Sequence, residues 1–272
     1  MPELPEVETV KNVLKEKLLG EKILKVVVKY KDMIVNVSAL DFVDIIEGKV
    51  IKDVRRYGKW LIFDFEDYCL LSHLRMEGKY FVKNINCEIN KHEHILFYFS
   101  EFLLSYHDVR KFGKMYLIKK ELLFKEKPLS EIGVEPFSKK FNVDYLKNKF
   151  SNKKIPIKSA ILDQSIIAGI GNIYANEILF ASKINPFKSA KNLTLKELEE
   201  LINNSKIILK KAILNKGTTI RTYTSSLGVI GNYQNFLLIH GKEGEKCPNC
   251  SGKIKKVFIN QRGTYYCEKC QK

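Results

Sequence analysis

The chain has 272 residues and carries 47 Lys or Arg against 31 Asp or Glu, a formal charge of +16. At about 100–200 residues per domain this length accommodates one or two main domains, and 45% hydrophobic residues, with 16 Phe and 13 Tyr, exclude disorder as the main state. No apolar run reaches the roughly 18 residues of a membrane span, and the acidic start Met1-Pro2-Glu3-Leu4-Pro5-Glu6 lacks the basic flank of a signal peptide. We therefore expect a cytosolic protein whose six cysteines are thiols or metal ligands rather than disulfides. So large a positive charge points to a polyanionic partner, nucleic acid before anionic lipid.

In chain order, Val7, Val10, Leu14 and Leu18 recur at helical spacing, Pro5 suits a first turn and Gly20 a stop, so residues 5–19 read as one amphipathic helix. From about 23 to 119 the pattern is of short β-branched and aromatic runs: Val26–Val28, Trp60–Phe65, Cys69–Leu74, Ile95–Phe99, Phe102–Tyr106 and Lys114–Ile118. Their close spacing predicts an antiparallel sandwich or barrel on which the first helix packs. A polar stretch near 120–140, with Pro128, Gly133 and Pro136, reads as a linker. Helical periodicity follows over Tyr145–Phe150, Ile157–Leu162 and Ile173–Phe180, then over a longer helix opened by the capping pair Thr194 and Glu197. Residues 215–235 read as loop.

Cys247-x2-Cys250 and Cys267-x2-Cys270, separated by sixteen residues, have the spacing of a tetrahedral structural zinc site. Lys255–Tyr266 alternates as a hairpin would, which makes a zinc-ribbon-like finger too small to hold itself together without metal. A closed four-sulfur shell leaves no coordination position for water, so one Zn2+ is expected in a structural task. Cys69 and Cys87 match no ligand spacing and read as a core and a loop residue. The finger is rich in Lys and Arg; Arg262, beside Gly263, could grip a phosphate with its planar fork or be simply solvated. Gly169-Ile170-Gly171-Asn172 could offer amides to an anion, although a tight turn between helices needs the same residues.

Helix-start preferences explain Pro5 and the glutamates but not Pro2. Removing Met1 would expose a secondary amine, which on attacking an aldehyde carbon yields an iminium, cationic without needing a proton and an electron sink. At this point the chain resembles the bacterial formamidopyrimidine-DNA glycosylase family from end to end, through Pro2-Glu3-Leu4-Pro5-Glu6-Val7-Glu8, Gly58-Lys59, His73-Leu74-Arg75-Met76-Glu77-Gly78, Asp108-Val109-Arg110-Lys111-Phe112-Gly113, Ile157-Lys158, Gly169–Glu177 and Gln261-Arg262.

The resemblance implies a multi-domain α+β architecture: an N-terminal antiparallel β-sandwich with its leading helix over 1–125, a linker over 126–140, a helix-two-turns-helix domain over 141–235 and a four-cysteine zinc finger over 236–272. It implies a bifunctional glycosylase and abasic-site lyase that excises 8-oxoguanine and formamidopyrimidines from damaged double-stranded DNA as a monomer, with no small-molecule cofactor and no membrane, in the bacterial cytoplasm. Pro2 would be the nucleophile, Glu3 the acid/base, Lys59 a residue near the lesion and its phosphate, and Arg262 the finger's phosphate grip. Met76, Arg110 and Phe112 would fill the void left by a flipped base, while His92, Lys153, Lys158 and Asn172 would contact the DNA backbone. Without the resemblance Lys59 reads as a solvent-facing strand lysine, and Met76 and Phe112 read as core.

Two departures stand out. The loop Arg221–Gln234, which in the family covers the flipped base, lacks the usual acidic or small residue before glycine, and His240 stands where a tyrosine is often found. The nearest rival reading is an endonuclease VIII-type enzyme for oxidised pyrimidines, against which Leu4 and the Met76, Arg110, Phe112 trio argue. A rival of another class is a non-catalytic zinc-ribbon nucleic-acid binder, which leaves Pro2-Glu3 unexplained.

Overall fold

A computed structural model of the chain describes residues 1–218 and 230–272. Most of the loop expected to cover a flipped base, Arg221–Gln234, lies outside the described residues. The chain divides into two compact units, one of residues 1–130 with 216–231 and one of 131–215 with 232–272.

In the first unit, α1 (Leu4–Leu18) is followed by β1 (Lys25–Val28), α2 (Ala39–Ile46), β2 (Asp53–Tyr57), β3 (Trp60–Asp64), β4 (Tyr68–His73), β5 (Lys79–Asn84), β6 (Glu93–Tyr98), β7 (Phe102–His107) and β8 (Lys114–Lys119). The strands form two antiparallel four-stranded sheets, ordered β1-β6-β7-β5 and β2-β3-β4-β8. One core lies between them. Leu61, Phe63 and Leu70 of one sheet and Tyr80, Phe97, Leu104 and Tyr106 of the other share it with the apolar stripe Val7, Val10, Leu14, Leu18 of α1. This is the expected sandwich with its leading helix.

Three elements depart from the sequence reading. Residues 39–46 form a helix inside what reads as strand territory, because Ser38 caps it by accepting the Asp41 amide (3.1 Å) and Phe42 and Ile46, one turn apart, are buried. Strand β2 is too polar to announce itself, and the sequence reading omits β5 although Tyr80-Phe81-Val82 is as long a run as Val26–Val28. In β2, Arg55 pairs with Asp64 (2.7 Å) and Arg56 with Glu8 (2.7 Å), so ion pairs occupy positions where alternation would show apolar residues.

In the second unit, α3 (Val143–Phe150), α4 (Ile157–Leu162), α5 (Asn172–Ala181) and α6 (Leu195–Leu214) enclose a core of Ile161, Ile167, Tyr174, Ile178, Leu201 and Leu209, among others. The expected capping box is present at the start of α6, with Thr194 and Glu197 reciprocally bonded. The turn between α4 and α5 is held by one side chain. Gln164 donates to the carbonyls of Leu162 (2.9 Å) and Ile170 (2.8 Å) and accepts the amide of Gly169 (2.9 Å), whose φ of +93° suits glycine. The finger's hairpin is β9 (Lys255–Ile259) and β10 (Arg262–Tyr266), joined by Asn260 and Gln261, both with positive φ, as a two-residue turn of mirror-image type requires.

Candidate functional site

In the first unit, Pro2 and Glu3 are buried just ahead of α1, while Met1 is 44% exposed. The reason is local. Glu6, itself buried, accepts the backbone amide of Glu3 (2.9 Å) and, through its other oxygen, the amide (2.7 Å) and hydroxyl (3.1 Å) of Thr218. A buried carboxylate with three donors is well satisfied, so Glu6 ties the amino terminus to the segment that enters the expected base-covering loop. Gly217 makes the approach feasible: its φ is +74°, and a Cβ there would lie 2.6 Å from Glu6 Oε1.

Lys59 sits in the tight turn between β2 and β3, where Gly58, with φ +58°, takes the first central position. It is only 5% exposed, so the solvent-facing alternative does not hold. The turn is braced by Arg56, which donates to Glu8 and to the Gly58 carbonyl (2.9 Å). Burial pushes the Glu8 carboxyl up, but Lys11 and Arg56 outweigh it and leave Glu8 below its ordinary value, ionised and paired. An ion pair thus connects α1, and with it the amino terminus, to the hairpin that carries Lys59.

Two loops at the ends of β4 and β7 carry the expected void-filling side chains. Met76 and Phe112 are 38% and 48% exposed, which rules out the core alternative, and the Arg110 guanidinium lies 4.6 Å from the centre of the Phe112 ring. Buried Asp108 builds the second loop. Its carboxylate accepts the amides of Arg110 (3.0 Å), Phe112 (2.9 Å) and Gly113 (2.8 Å), and its carbonyl bonds His94 Nε2 (2.9 Å). In the first loop, His73 Nδ1 accepts the Arg75 amide (2.9 Å). Burial, helped by the charges of Arg75 and Lys59, pushes the His73 imidazole down to about 3, so it stays a neutral acceptor. His92 is partly exposed before β6, its ring 5.7 Å from that of His107.

In the second unit, the four cysteine sulfurs lie within 4.8 Å of one another, with Cys247–Cys270 at 3.7 Å and Cys250–Cys267 at 3.5 Å. A tetrahedron with Zn–S bonds of about 2.3 Å has edges of about 3.8 Å, so the donor set fits one Zn2+. Amides of Asn249 (3.4 Å) and Gly252 (3.3 Å) point at Cys247 and Cys250 sulfurs, as around thiolates. Burial and the neighbouring sulfurs push Cys270 up to about 12, a repulsion that a divalent cation would remove. Cys69 is buried and Cys87 lies in a turn, as expected.

Arg262 is exposed at the first position of β10. The next carbonyl, that of Gly263, is gripped by Asn172 Nδ2 (3.0 Å) and Lys158 Nζ (2.9 Å). Lys158 is fully buried, and its ammonium also donates to Asn176 Oδ1 (2.7 Å) and the Thr264 hydroxyl (2.9 Å). Three protein acceptors thus surround the Lys158 ammonium beneath the strand that carries Arg262. Lys153, by contrast, is partly exposed near Asp163 (3.7 Å). His240 accepts from Asn176 Nδ2 at Nδ1 (2.7 Å); because Lys158 occupies the Asn176 oxygen, that amide's orientation is set. Burial and the Lys158 charge push His240 down to about 4. Glu177 accepts the three successive amides of Leu238, Ile239 and His240, fastening the approach to the finger onto α5.

Sequence reasoning gave no individual role to Glu6, Arg56, Asp108, Asn176 or Glu177. Four of these lay inside quoted motifs, and the signal that could have found them is a charged or amide residue at a position the helix or loop must bury.

Family models for the formamidopyrimidine-DNA glycosylase N-terminal domain, its H2TH domain and the zinc finger found in FPG and IleRS match residues 1–115, 132–224 and 244–272. The chain is 41% identical to a formamidopyrimidine-DNA glycosylase of Listeria monocytogenes over the whole of both chains, and 42% identical to that of Ligilactobacillus salivarius, covering 100% of this chain and 99% of the relative. Among solved structures, it is similar to Lactococcus lactis Fpg bound to abasic-site DNA (TM-score 0.93, 38% identity, 99% of each chain) and to N7-benzyl-Fapy-dG DNA (TM-score 0.93, 38% identity, 100% of each chain). With the Met1-Pro2-Glu3 start, the sandwich, the helical domain and the four-sulfur finger all in place, the chain belongs to the formamidopyrimidine-DNA glycosylase family of base-excision-repair enzymes.

Proposed function

We propose that the chain removes oxidised purines, 8-oxoguanine and formamidopyrimidines, from double-stranded DNA and then cleaves the strand, acting as a monomer in the bacterial cytoplasm without a small-molecule cofactor. The observation that carries this reading is the buried Pro2-Glu3 pair, held at the head of α1 by Glu6 and linked through Glu8 and Arg56 to the Lys59 turn.

With Met1 removed, the Pro2 nitrogen attacks C1′ of the damaged nucleotide, and the base leaves with a proton. Glu3 carries protons for base departure and opening of the sugar ring, giving an iminium between Pro2 and C1′. The iminium withdraws electrons, so the C2′ proton is lost and the 3′ phosphate is expelled; a second elimination expels the 5′ phosphate, leaving a one-nucleotide gap. Lys59 and Arg262 supply positive charge to phosphates. Zinc, where bound, holds the finger's fold, and no step passes through it. Taking a base out of the stack costs a few kcal/mol, which Met76, Arg110 and Phe112 offset by occupying its place, the arginine bonding the orphaned cytosine. His92, Lys153 and Asn172 contact the DNA backbone; Lys158, expected beside them, in our reading positions Arg262 instead, because three protein acceptors surround its ammonium; and the loop 221–234 sets lesion preference. A Lactococcus lactis Fpg structure holds DNA with an oxidised pyrimidine, so we extend the substrate range to such lesions.

Borohydride added during incubation with duplex DNA carrying 8-oxoguanine opposite cytosine should trap the iminium as a covalent protein–DNA complex. Damage-specific binding with no trapped species, and no strand cleavage, would favour the non-catalytic binder.

A further inference from the structure

Gly78 and Gly113 occupy corresponding places in the two loops that carry the void-filling side chains, and neither needs glycine for its backbone, since neither has a positive φ. Both need it for room. A Cβ on Gly78 would overlap the Tyr106 hydroxyl and lie 2.5 Å from the Leu74 carbonyl; a Cβ on Gly113 would overlap the same hydroxyl and lie 2.7 Å from Tyr106 Cζ. One phenol therefore stands under both loops.

Tyr106 is itself enclosed on all sides. It is fully buried on β7, paired in register with Tyr80 on β5 and Ile95 on β6, with its ring edge-on to Tyr80 at 5.1 Å. The Tyr80 hydroxyl in turn donates to Ser72 on β4 (2.8 Å), two residues before the first loop begins. Each loop also crosses between the sheets, β4 to β5 and β7 to β8, so both leave and re-enter the sandwich around this residue. The first is closed by the Gly78 amide on the Leu74 carbonyl (2.8 Å), the second by the Asp108 carboxylate.

We propose that Tyr106 is a positioning residue that locks the Met76 loop and the Arg110–Phe112 loop into one rigid body, so that the void-filling side chains enter DNA as a unit and not one by one. The inference rests on the void-filling reading of those residues. Close-packed side chains transmit displacement because they have no slack: a loop cannot rise over the hydroxyl without disturbing the packing of the other.

The test is a double-mutant cycle of Met76→Ala and Phe112→Ala, in the native and in the Tyr106→Phe background. It is read by single-turnover excision of 8-oxoguanine from duplex DNA and by the fluorescence of 2-aminopurine beside the lesion. Tyr106→Phe keeps the ring and removes only the oxygen between the glycines. In the native background each single substitution should slow excision by about tenfold and the double by hardly more, because residues acting as a unit are non-additive. In the Tyr106→Phe background the losses should multiply towards about a hundredfold. Tyr106→Phe alone should leave cleavage at a preformed abasic site within about twofold, a readout that general destabilisation would lower. Multiplicative losses in the native background overturn the coupling, as does non-additivity that survives Tyr106→Phe. If the alanine variants change neither excision nor 2-aminopurine fluorescence, the void-filling reading fails and this inference falls with it.

Discussion

The two units share one anchoring device, a buried carboxylate that gathers backbone amides, with Glu177 doing in the second what Glu6 and Asp108 do in the first, and they differ in what the second adds. In the first, buried or half-buried carboxylates gather backbone amides and cations: Glu6 holds the Glu3 and Thr218 amides, Glu8 holds Arg56, and Asp108 holds three amides of the loop carrying Arg110 and Phe112. In the second, a fully buried ammonium, Lys158, gathers carbonyl, amide and hydroxyl oxygens, and four sulfurs close around a metal position. Each choice leaves the surface charge the unit needs. Anionic anchors buried inside a unit do not repel a polyanion approaching its surface, while a buried cation adds no mobile lysine to compete with Arg262 for a phosphate. The difference makes the second unit depend on a metal.

The largest expected effect lies in the first unit. Pro2→Gly replaces the secondary amine with a primary one in a site shaped for the ring, and should lower strand cleavage by about a thousandfold, on the scale of losing a nucleophile, while duplex binding persists. The amine must also be free, because a Met-capped nitrogen has no nucleophilic lone pair. Mass spectrometry showing Met1 retained on fully active enzyme would remove the mechanism.

Next comes the metal. Cys247→Ala leaves three sulfurs around the ion, and because metal binding in so small a finger is folding energy, β9 and β10 should lose their structure and zinc should be released. Metal analysis and duplex affinity should fall together, whereas trapping at high concentration of a preformed abasic site should persist in part. Unchanged affinity and salt slope in metal-free protein would show that the finger makes no DNA contact.

Lys158→Met sharpens the comparison within the second unit. Removing a buried charge and its donors should cost about 2–4 kcal/mol of stability and weaken duplex binding about tenfold through Arg262. The salt dependence separates positioning from contact. Arg262→Ala should reduce the slope of log K against log salt by about 0.9, and Lys158→Met should leave it unchanged. An equal loss of slope in Lys158→Met would return Lys158 to the phosphate contacts.

Much of this was legible in sequence because it depends on periodicity or spacing. The stripe of α1, the capping box of α6, the hairpin between cysteine pairs and the ligand spacing are all local patterns, and motif resemblance singled out Pro2, Lys59, Met76, Arg110 and Phe112 as candidates. What escaped is long-range and polar. Arg56 reads as an exposed charge until Glu8, 48 positions away in sequence, is brought beside it. Nothing local to Lys158 announces its burial, because its acceptors at 263 and 264 lie over a hundred residues later. Burial of a charge is decided by partners that no local window contains.

The smallest expected effect concerns protons. His73 must be neutral to accept the Arg75 amide, and burial with two nearby cations holds it at about 3 in the folded chain, against about 6.5 when unfolded. Between those values the unfolded state binds the proton that the folded state refuses, so the stability contributed by neutral His73 is complete above pH 6.5 and declines as pH falls, by about 1.4 kcal/mol per unit. His240, held at about 4, adds to the same window from the second unit. His73→Asn places an amide oxygen near the position of Nδ1 without a titrating group. Between pH 6.5 and 5, above the range in which carboxylates such as Glu8 begin to protonate, the His73→Asn variant should therefore lose less Tm than the native enzyme. The His240→Asn change should flatten the same interval by nearly the same amount, because both folded values lie below pH 5 and the two contributions part only on approaching pH 4. Parallel Tm curves for native and His73→Asn proteins across this interval would mean that the imidazole is protonated in the folded state and that the Arg75 amide is held by something else.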